Sequence, residues 1–315
     1  MNIDFIILAA GKGTRMGGDS PKVLVNLAGK PMIQHLINTV ETFPKAKTSV
    51  IVGHKAKEVE GSIHSQKKIN FVTQKNQLGT AHAVKQAVPF LRKNSVSVVL
   101  YGDAPLVTRK TLSKLIKSAS NGKMALLTFK KEDPSGYGRI VRGPRKNVEK
   151  IIEHKDASNK EREIQEVNSG ILAVKTSILQ KSLPSIKNNN AAKEYYLTDL
   201  IEIANKNSIA VIATLCDEHE VGGANDRQEL HDLERSFQKR TAESLLAKDV
   251  FVADTSRMDI RGDTQIGKGS FIDINNVFEG QNKIGKNVHI GPNCHIINSI
   301  IKDNTVVYSN TVIED

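Results

Sequence analysis

The chain has 315 residues, of which 39% are hydrophobic, 25% charged and 4% aromatic, with no tryptophan, and its 45 lysines and arginines against 34 acids give a formal charge of +11. This length exceeds the ~100–200 residues of one domain and allows a sizeable core, which excludes disorder as the main theme. The basic excess falls in pairs and singles such as Lys67 with Lys68, without a run or an aromatic platform, so neither a nucleic-acid nor a membrane partner is expected, and small phosphorylated substrates remain.

Residues 4–10 (DFIILAA) form a short apolar run that enters a glycine-rich turn, as a buried strand does. The run is too short to span a bilayer and lacks a basic leader, so a cytoplasmic protein is expected. Pro31 to Thr42 then shows helical spacing through Met32, Leu36, Ile37 and Val40. The alternation continues with a strand over 48–52, a helix around 56–63, a strand over 69–73, a helix over 80–91 and a strand over 96–101. Short apolar strands interleaved with amphipathic helices predict an α/β fold with a mixed, mainly parallel, Rossmann-like sheet covered on both faces. Further strands are predicted over 124–129, 139–142, 148–153, 170–174 and 210–214.

Residues 226–248 carry Leu230, Leu233, Phe237, Leu245 and Leu246 near helical spacing among many charges, which predicts one long linker helix. After Arg261 a six-residue ladder sets in: Ile266, Ile272, Ile284, Ile290, Ile296, Val306 and Val312 are read on it, with Phe278 and Ile301 beside it. Hexapeptide repeats of this kind predict a short left-handed parallel β-helix. The expected domains are therefore 1–225, 226–249 and 250–315, and such a short β-helix favours association of copies. Cys216 and Cys294 have no metal-ligand spacing and read as reduced core thiols.

The chemical signal is LAAGKGTRM at 8–16 with Ser20-Pro21-Lys22, directly after the first strand. A strand opening into a glycine turn presents backbone N–H groups to phosphate oxygens, and Arg15 and Lys22 add two cations. Neither the dinucleotide fingerprint nor the phosphate-loop spacing fits the stretch.

Together with SPKVLVNLAGKPMIQH, QLGTAHAV, YGDAPL, GYGRI, IIEHKDAS, EVNSG, EYYLTDL and EVGGANDR, in that order, this signature resembles the sugar-nucleotide pyrophosphorylases. Within them it is most similar to the bifunctional N-acetylglucosamine-1-phosphate uridylyltransferase/glucosamine-1-phosphate acetyltransferase (GlmU) family. The resemblance implies nucleotide contacts at Leu8, Ala9, Ala10, Gly11, Lys22, Gln74, Gly79, Thr80, Tyr101 and Gly102. It implies sugar-phosphate contacts at Gly138, Glu153, Asn168, Tyr196 and Thr198, a Mg2+ ion on Asp103 and Asn225, and catalytic roles for Arg15 and Lys22. Gln74 offers a donor and an acceptor to the paired edge of uracil. The implied reaction joins UTP and N-acetylglucosamine 1-phosphate into UDP-N-acetylglucosamine, a peptidoglycan precursor, by in-line attack on the α-phosphate, in a homotrimer. Family members run longer than this chain, with the acetyltransferase centre in later coils, so acetyl transfer is expected to be absent and His289 and His295 read as solvent-facing. A pyrophosphorylase for another sugar 1-phosphate or nucleotide, a non-catalytic hexapeptide scaffold and a nucleic-acid binder stay as alternatives.

Overall fold

The computed structural model describes residues 1–11, 20–144 and 147–315. The chain divides into two compact units, one of Met1–Leu24 and Met32–Gly223, the other of Val25–Pro31 and Ala224–Asp315.

The first unit runs β1 (Asn2–Ala9), α1 (Met32–Glu41), β2 (Ala46–Val52), α2 (Ala56–Ser62), β3 (Ile69–Thr73), α3 (Thr80–Ala87), β4 (Ser95–Tyr101), α4 (Arg109–Ser120) and β5 (Met124–Lys130). It continues with β6 (Arg139–Arg142), β7 (Val148–Ile152), β8 (Glu166–Lys175), α5 (Thr176–Ser182), α6 (Leu200–Lys206) and β9 (Val211–Leu215). The sheet order is β9-β5-β8-β4-β1-β2-β3, with β6 branching from β8 and β7 pairing β6. β8 is antiparallel to both β4 and β5, while β1 to β4 are mutually parallel and β9 is parallel to β5. This is the mixed, mainly parallel Rossmann-like sheet that the alternation predicts.

Apolar runs become central strands because both faces of the sheet are buried. Along β1, Phe5, Ile7 and Ala9 enter one core with Val50, Val52, Val98 and Leu100, whereas Ile6 enters the other with Ile51 and Val99. β1 is flanked by β4 on one side and β2 on the other, so the chain leaves it in both directions, and a crevice opens at the carboxyl ends of these strands. α3 ends at Ala87, short of the predicted Leu91, and continues as a 3-10 turn over Val88–Phe90 because Pro89 has no N–H to extend an α-helix. α4 has no counterpart in the sequence reading. Yet its Thr108 cap accepts from the Thr111 N–H at 3.1 Å and Leu112, Leu115, Ile116 and Ala119 form its buried stripe.

In the second unit a long helix, α7 (Arg227–Leu246), starts at Asp226, whose side chain accepts from the Glu229 N–H at 2.9 Å. Its buried positions are Leu233, Gln238, Ala242 and Leu245, while Leu246, read from sequence as part of the apolar set, is exposed. Gln238 behaves as a strand substitute: its Nε2 donates to Ile260 O at 2.9 Å and its Oε1 accepts from Ile260 N–H at 2.8 Å.

The tail is a parallel β-helix, with Met258–Ile266 stacked on Asn276–Ile284 and Phe251–Val252, Phe271–Ile272, His289–Ile290 and Val306–Val307 in a second wall. The predicted ladder needs a correction. Ile260, Phe278 and Ile296 stand in register, so Phe278 is a fully buried rung. Beyond them Ile284 faces Ile301, Ile290 faces Val307 and Ile296 faces Ile313, a step one residue shorter than that from Ile260 to Phe278 or from Phe278 to Ile296. Ile301 and Val307 therefore point inward, and Val306 and Val312 point out. Left-handed asparagines turn the corners: Asn275, Asn293 and Asn310 have φ near 60° and are bridged side chain to side chain at 2.9 and 3.3 Å. Cys294 is buried; His289 is exposed and stacked on Phe271, and His295 is half-buried 3.3 Å from Glu279.

Replacing Gln238 by leucine keeps the volume but strips two buried backbone groups of Ile260 of their partners. The expected outcome is a loss of roughly 2–4 kcal/mol in urea unfolding of the full chain; a change within experimental error would show that the bridge contributes nothing.

Candidate functional site

A cleft of about 260 Å³ is lined by Leu8, Ala9, Ala10 and Gly11 from the end of β1, Lys22, Val23, Gln74, Gln77, Gly79 and Thr80, Tyr101 and Asp103 from the end of β4, Ala83, and Glu194. The two strand ends are tied together where Gly102 N–H donates to Leu8 O at 2.9 Å. A Cβ on Gly102 would meet Val23 Cγ1 at 3.0 Å and Leu8 O at 3.1 Å, so the backbone is closely packed there. At Gly11 an added Cβ would meet nothing within 4 Å among the described residues.

Lys22 opens a short 3-10 turn and its ammonium forms an ion pair with Asp103, both side chains mostly buried at 16% and 23% exposure. The structure thus brings together a cation and a carboxylate that lie far apart in sequence. A Cβ on Gly223 would meet Asp103 O at 2.9 Å and Oδ2 at 3.1 Å, so backbone closes over the acid from another side. Arg15, the other expected cation, lies outside the described residues. Asn225 belongs to the second unit, where its N–H donates to Glu229 Oε2 at 2.5 Å.

Gln74 is 5% exposed, and its amide nitrogen donates to Gly79 O at 3.2 Å. Gly79 caps α3 at φ 106°, and a Cβ there would meet Tyr195 O at 2.6 Å, so only glycine fits. Gln77, missed by sequence reasoning, donates from Nε2 to Ala10 O at 2.6 Å and ties this loop to the end of β1. Glu194 in the cleft wall was also missed; both sit inside motifs quoted above, but nothing in their spacing marks them.

Tyr101 connects this half to a second cluster. A Cβ on Gly170, at φ 80°, would run into its ring. Burial, then the charges of Glu153 and Asp103, raise its pKa far above the ordinary value, so it remains a neutral hydrogen-bonding group. Glu153 Oε1 accepts from Thr198 Oγ1 at 3.1 Å, Gly138 O accepts from Asn168 N–H at 2.9 Å, and a Cβ on Gly138 would meet Glu153 Oε2 at 3.4 Å. Burial raises the Glu153 carboxyl above its usual range, with Asp156 and Glu194 adding to it and the Thr198 bond opposing. Tyr196 is raised by burial and by Asp156, Glu153, Glu194 and Asp199. All the described residues expected on the sugar-phosphate side therefore converge.

A family model described as the MobA-like NTP transferase domain matches residues 5–171. The chain is 44% identical over 96% of its length to the bifunctional protein GlmU of Francisella philomiragia, covering 66% of that protein. It is 46% identical over 95% of its length to the bifunctional protein GlmU of Cellvibrio japonicus, covering 70% of it, and 43% identical over 90% of its length to that of Francisella tularensis subsp. novicida, covering 62%. The chain thus spans about two thirds of the length of these relatives. Among solved structures, a UDP-glucose pyrophosphorylase complexed with UDP-glucose superposes with a TM-score of 0.62 at 16% identity, over 76% of this chain and 100% of that one. HddC from Yersinia pseudotuberculosis complexed with GMP-PN gives 0.55 at 20% identity, over 74% and 99%. These two likenesses show the fold alone.

Asp199, beside the Glu153 cluster, titrates at about 6 instead of 3.8, pushed up by burial and then by Glu202, Glu153 and Asp156. An acid with a raised folded pKa keeps its proton while the unfolded chain releases it, so its ionisation weakens the fold as pH climbs from about 4 to about 6. Replacing Asp199 by asparagine is expected to stabilise the protein at pH 7 and to leave it unchanged below pH 4, measured as thermal midpoints; equal shifts at both pH values would contradict this.

Proposed function

Because the chain belongs to the GlmU family and carries its MobA-like NTP transferase domain, we propose that it is a uridylyltransferase that converts UTP and N-acetylglucosamine 1-phosphate into UDP-N-acetylglucosamine and pyrophosphate. One observation carries this reading: the cleft at the ends of β1 and β4 places the Lys22–Asp103 pair in the same wall as the buried amide of Gln74. A nucleotide needs those two chemistries at its two ends.

Asp103 offers hard carboxylate oxygens, and among the described residues no group of three or more His, Cys, Asp or Glu could cage an ion. That donor set fits Mg2+, which takes most of its ligands from phosphate and water. Asp103 would hold the ion. When bound, Mg2+ neutralises phosphate charge and favours in-line displacement.

An oxygen of the sugar phosphate attacks the α-phosphorus of UTP, a new P–O bond forms, and the bond to pyrophosphate breaks with its electron pair on the leaving group. The attacking phosphate is already ionised, so no protein nucleophile or base is needed. Lys22, and Arg15 by resemblance, offset the negative charge gathered there. Leu8 to Gly11 cradle the nucleotide with Gly102 and Tyr101 beneath, and Gln74, Gly79 and Thr80 face the base. Glu153 and Thr198 take the sugar hydroxyls, while Asn168, Gly138 and Tyr196 bound the rest of the sugar pocket.

In the second unit Phe251, Phe271 and His289 stack at 5.2 and 4.7 Å on an outer wall that continues to the exposed Val306. This apolar ladder supports assembly of copies into the homotrimer implied by the resemblance. The relatives are named bifunctional, which lends no support to an absence of acetyl transfer. Among the described residues no helix is long and apolar enough to cross a membrane.

With UTP, N-acetylglucosamine 1-phosphate and Mg2+, pyrophosphate release is expected to fall about 100-fold or more in kcat on Asp103→Ala and on Lys22→Met. Unchanged turnover in either variant, or a faster reaction with another triphosphate and sugar phosphate across a panel, would overturn the assignment.

A further inference from the structure

Gln74 follows β3, and its N–H is held by Val52 O at 2.8 Å. Its amide nitrogen lies 3.2 Å from Gly79 O and 3.0 Å from His82 Nδ1 in the first turn of α3. A backbone carbonyl can only accept, so Gly79 decides which end of the amide faces inward. The second amide hydrogen then points at His82 Nδ1, which must present a lone pair, and the ring hydrogen belongs on Nε2. The half-exposed Gln86 amide nitrogen donates to His82 O at 3.1 Å and stands 3.2 Å from that Nε2; with the hydrogen on Nε2 it keeps its bond to the carbonyl and makes none to the ring.

Both hydrogens of the Gln74 amide are thereby used inside the fold. Its Oε1 has no hydrogen-bond partner among the described residues, although the side chain is 95% buried and lines the cleft. The group left over for a ligand is an acceptor alone, not the donor-acceptor pair that glutamine offers in isolation.

We infer, resting on the nucleotide reading above, that His82 is a positioning residue for base choice: it pins the Gln74 amide so that Oε1 meets the ring N–H of uracil. Cytosine carries a lone pair at that ring position, so oxygen would face lone pair and the base would be rejected. Without the imidazole acceptor, Gln74 keeps only the Gly79 bond, and its amide turns over at the cost of one hydrogen bond to present N–H groups to cytosine. His82 touches no substrate and acts through Gln74.

The test compares kcat/KM for UTP and CTP, each with N-acetylglucosamine 1-phosphate and Mg2+, in the full chain and in its His82→Phe and His82→Gln variants. His82→Phe is expected to lower the UTP:CTP ratio roughly 10- to 100-fold, and His82→Gln, which restores an acceptor, to recover most of it. A purely structural role would slow both triphosphates alike and leave the ratio intact, which would overturn the inference. A parent chain that favours CTP or shows no preference would instead sink the uridine reading itself, and the inference with it. Should the phenylalanine variant not fold, histidine ring 15N–1H spectra of the parent chain decide: a hydrogen on His82 Nε2 is expected, and one on Nδ1 would contradict the proposal.

Discussion

The ion pair between Lys22 and Asp103 is the constraint around which the first unit is organised. Two opposite charges, largely shielded from water, pair with each other there. In the function proposed above, a ligand that brings anionic phosphate and a divalent cation would supply new partners for both groups at once.

The rest of the unit places this pair. β1 and β4 lie side by side in the middle of the sheet, and the Gly102 bond to Leu8 brings Asp103 to the mouth of the crevice. Val23 packs against Gly102, which seats Lys22 opposite. Gln77 holds the end of β1 against the segment bearing Gln74, and Tyr101 packs over Gly170 toward the cluster around Glu153. A few close approaches therefore join the segments around Lys22 and Gln74 to the cluster around Glu153.

The order of strands and helices was legible because buried parallel strands read as unbroken apolar runs, and the strand-end position of Asp103 followed from that. The shift at Ile301 was not, because dropping one residue from a coil changes which side chains face inward without altering the composition of the ladder. α4 was overlooked although its cap and stripe are plain in the sequence. Gln77, Glu194 and the orientation of Gln74 were hidden for a different reason: they depend on which backbone carbonyl a side chain meets, and no periodicity records that. Gln238 shows the same limit, a polar residue on an apolar stripe that is buried because two backbone groups of Ile260 need it.

The central claim is that nucleotide and cation meet at the Lys22–Asp103 pair. Amide hydrogen exchange of the full chain, with and without UTP and Mg2+, tests it most directly. Slowed exchange confined to residues 8–11, 74–80 and 101–103 is the expected footprint, and protection elsewhere with these three segments unchanged would contradict the account.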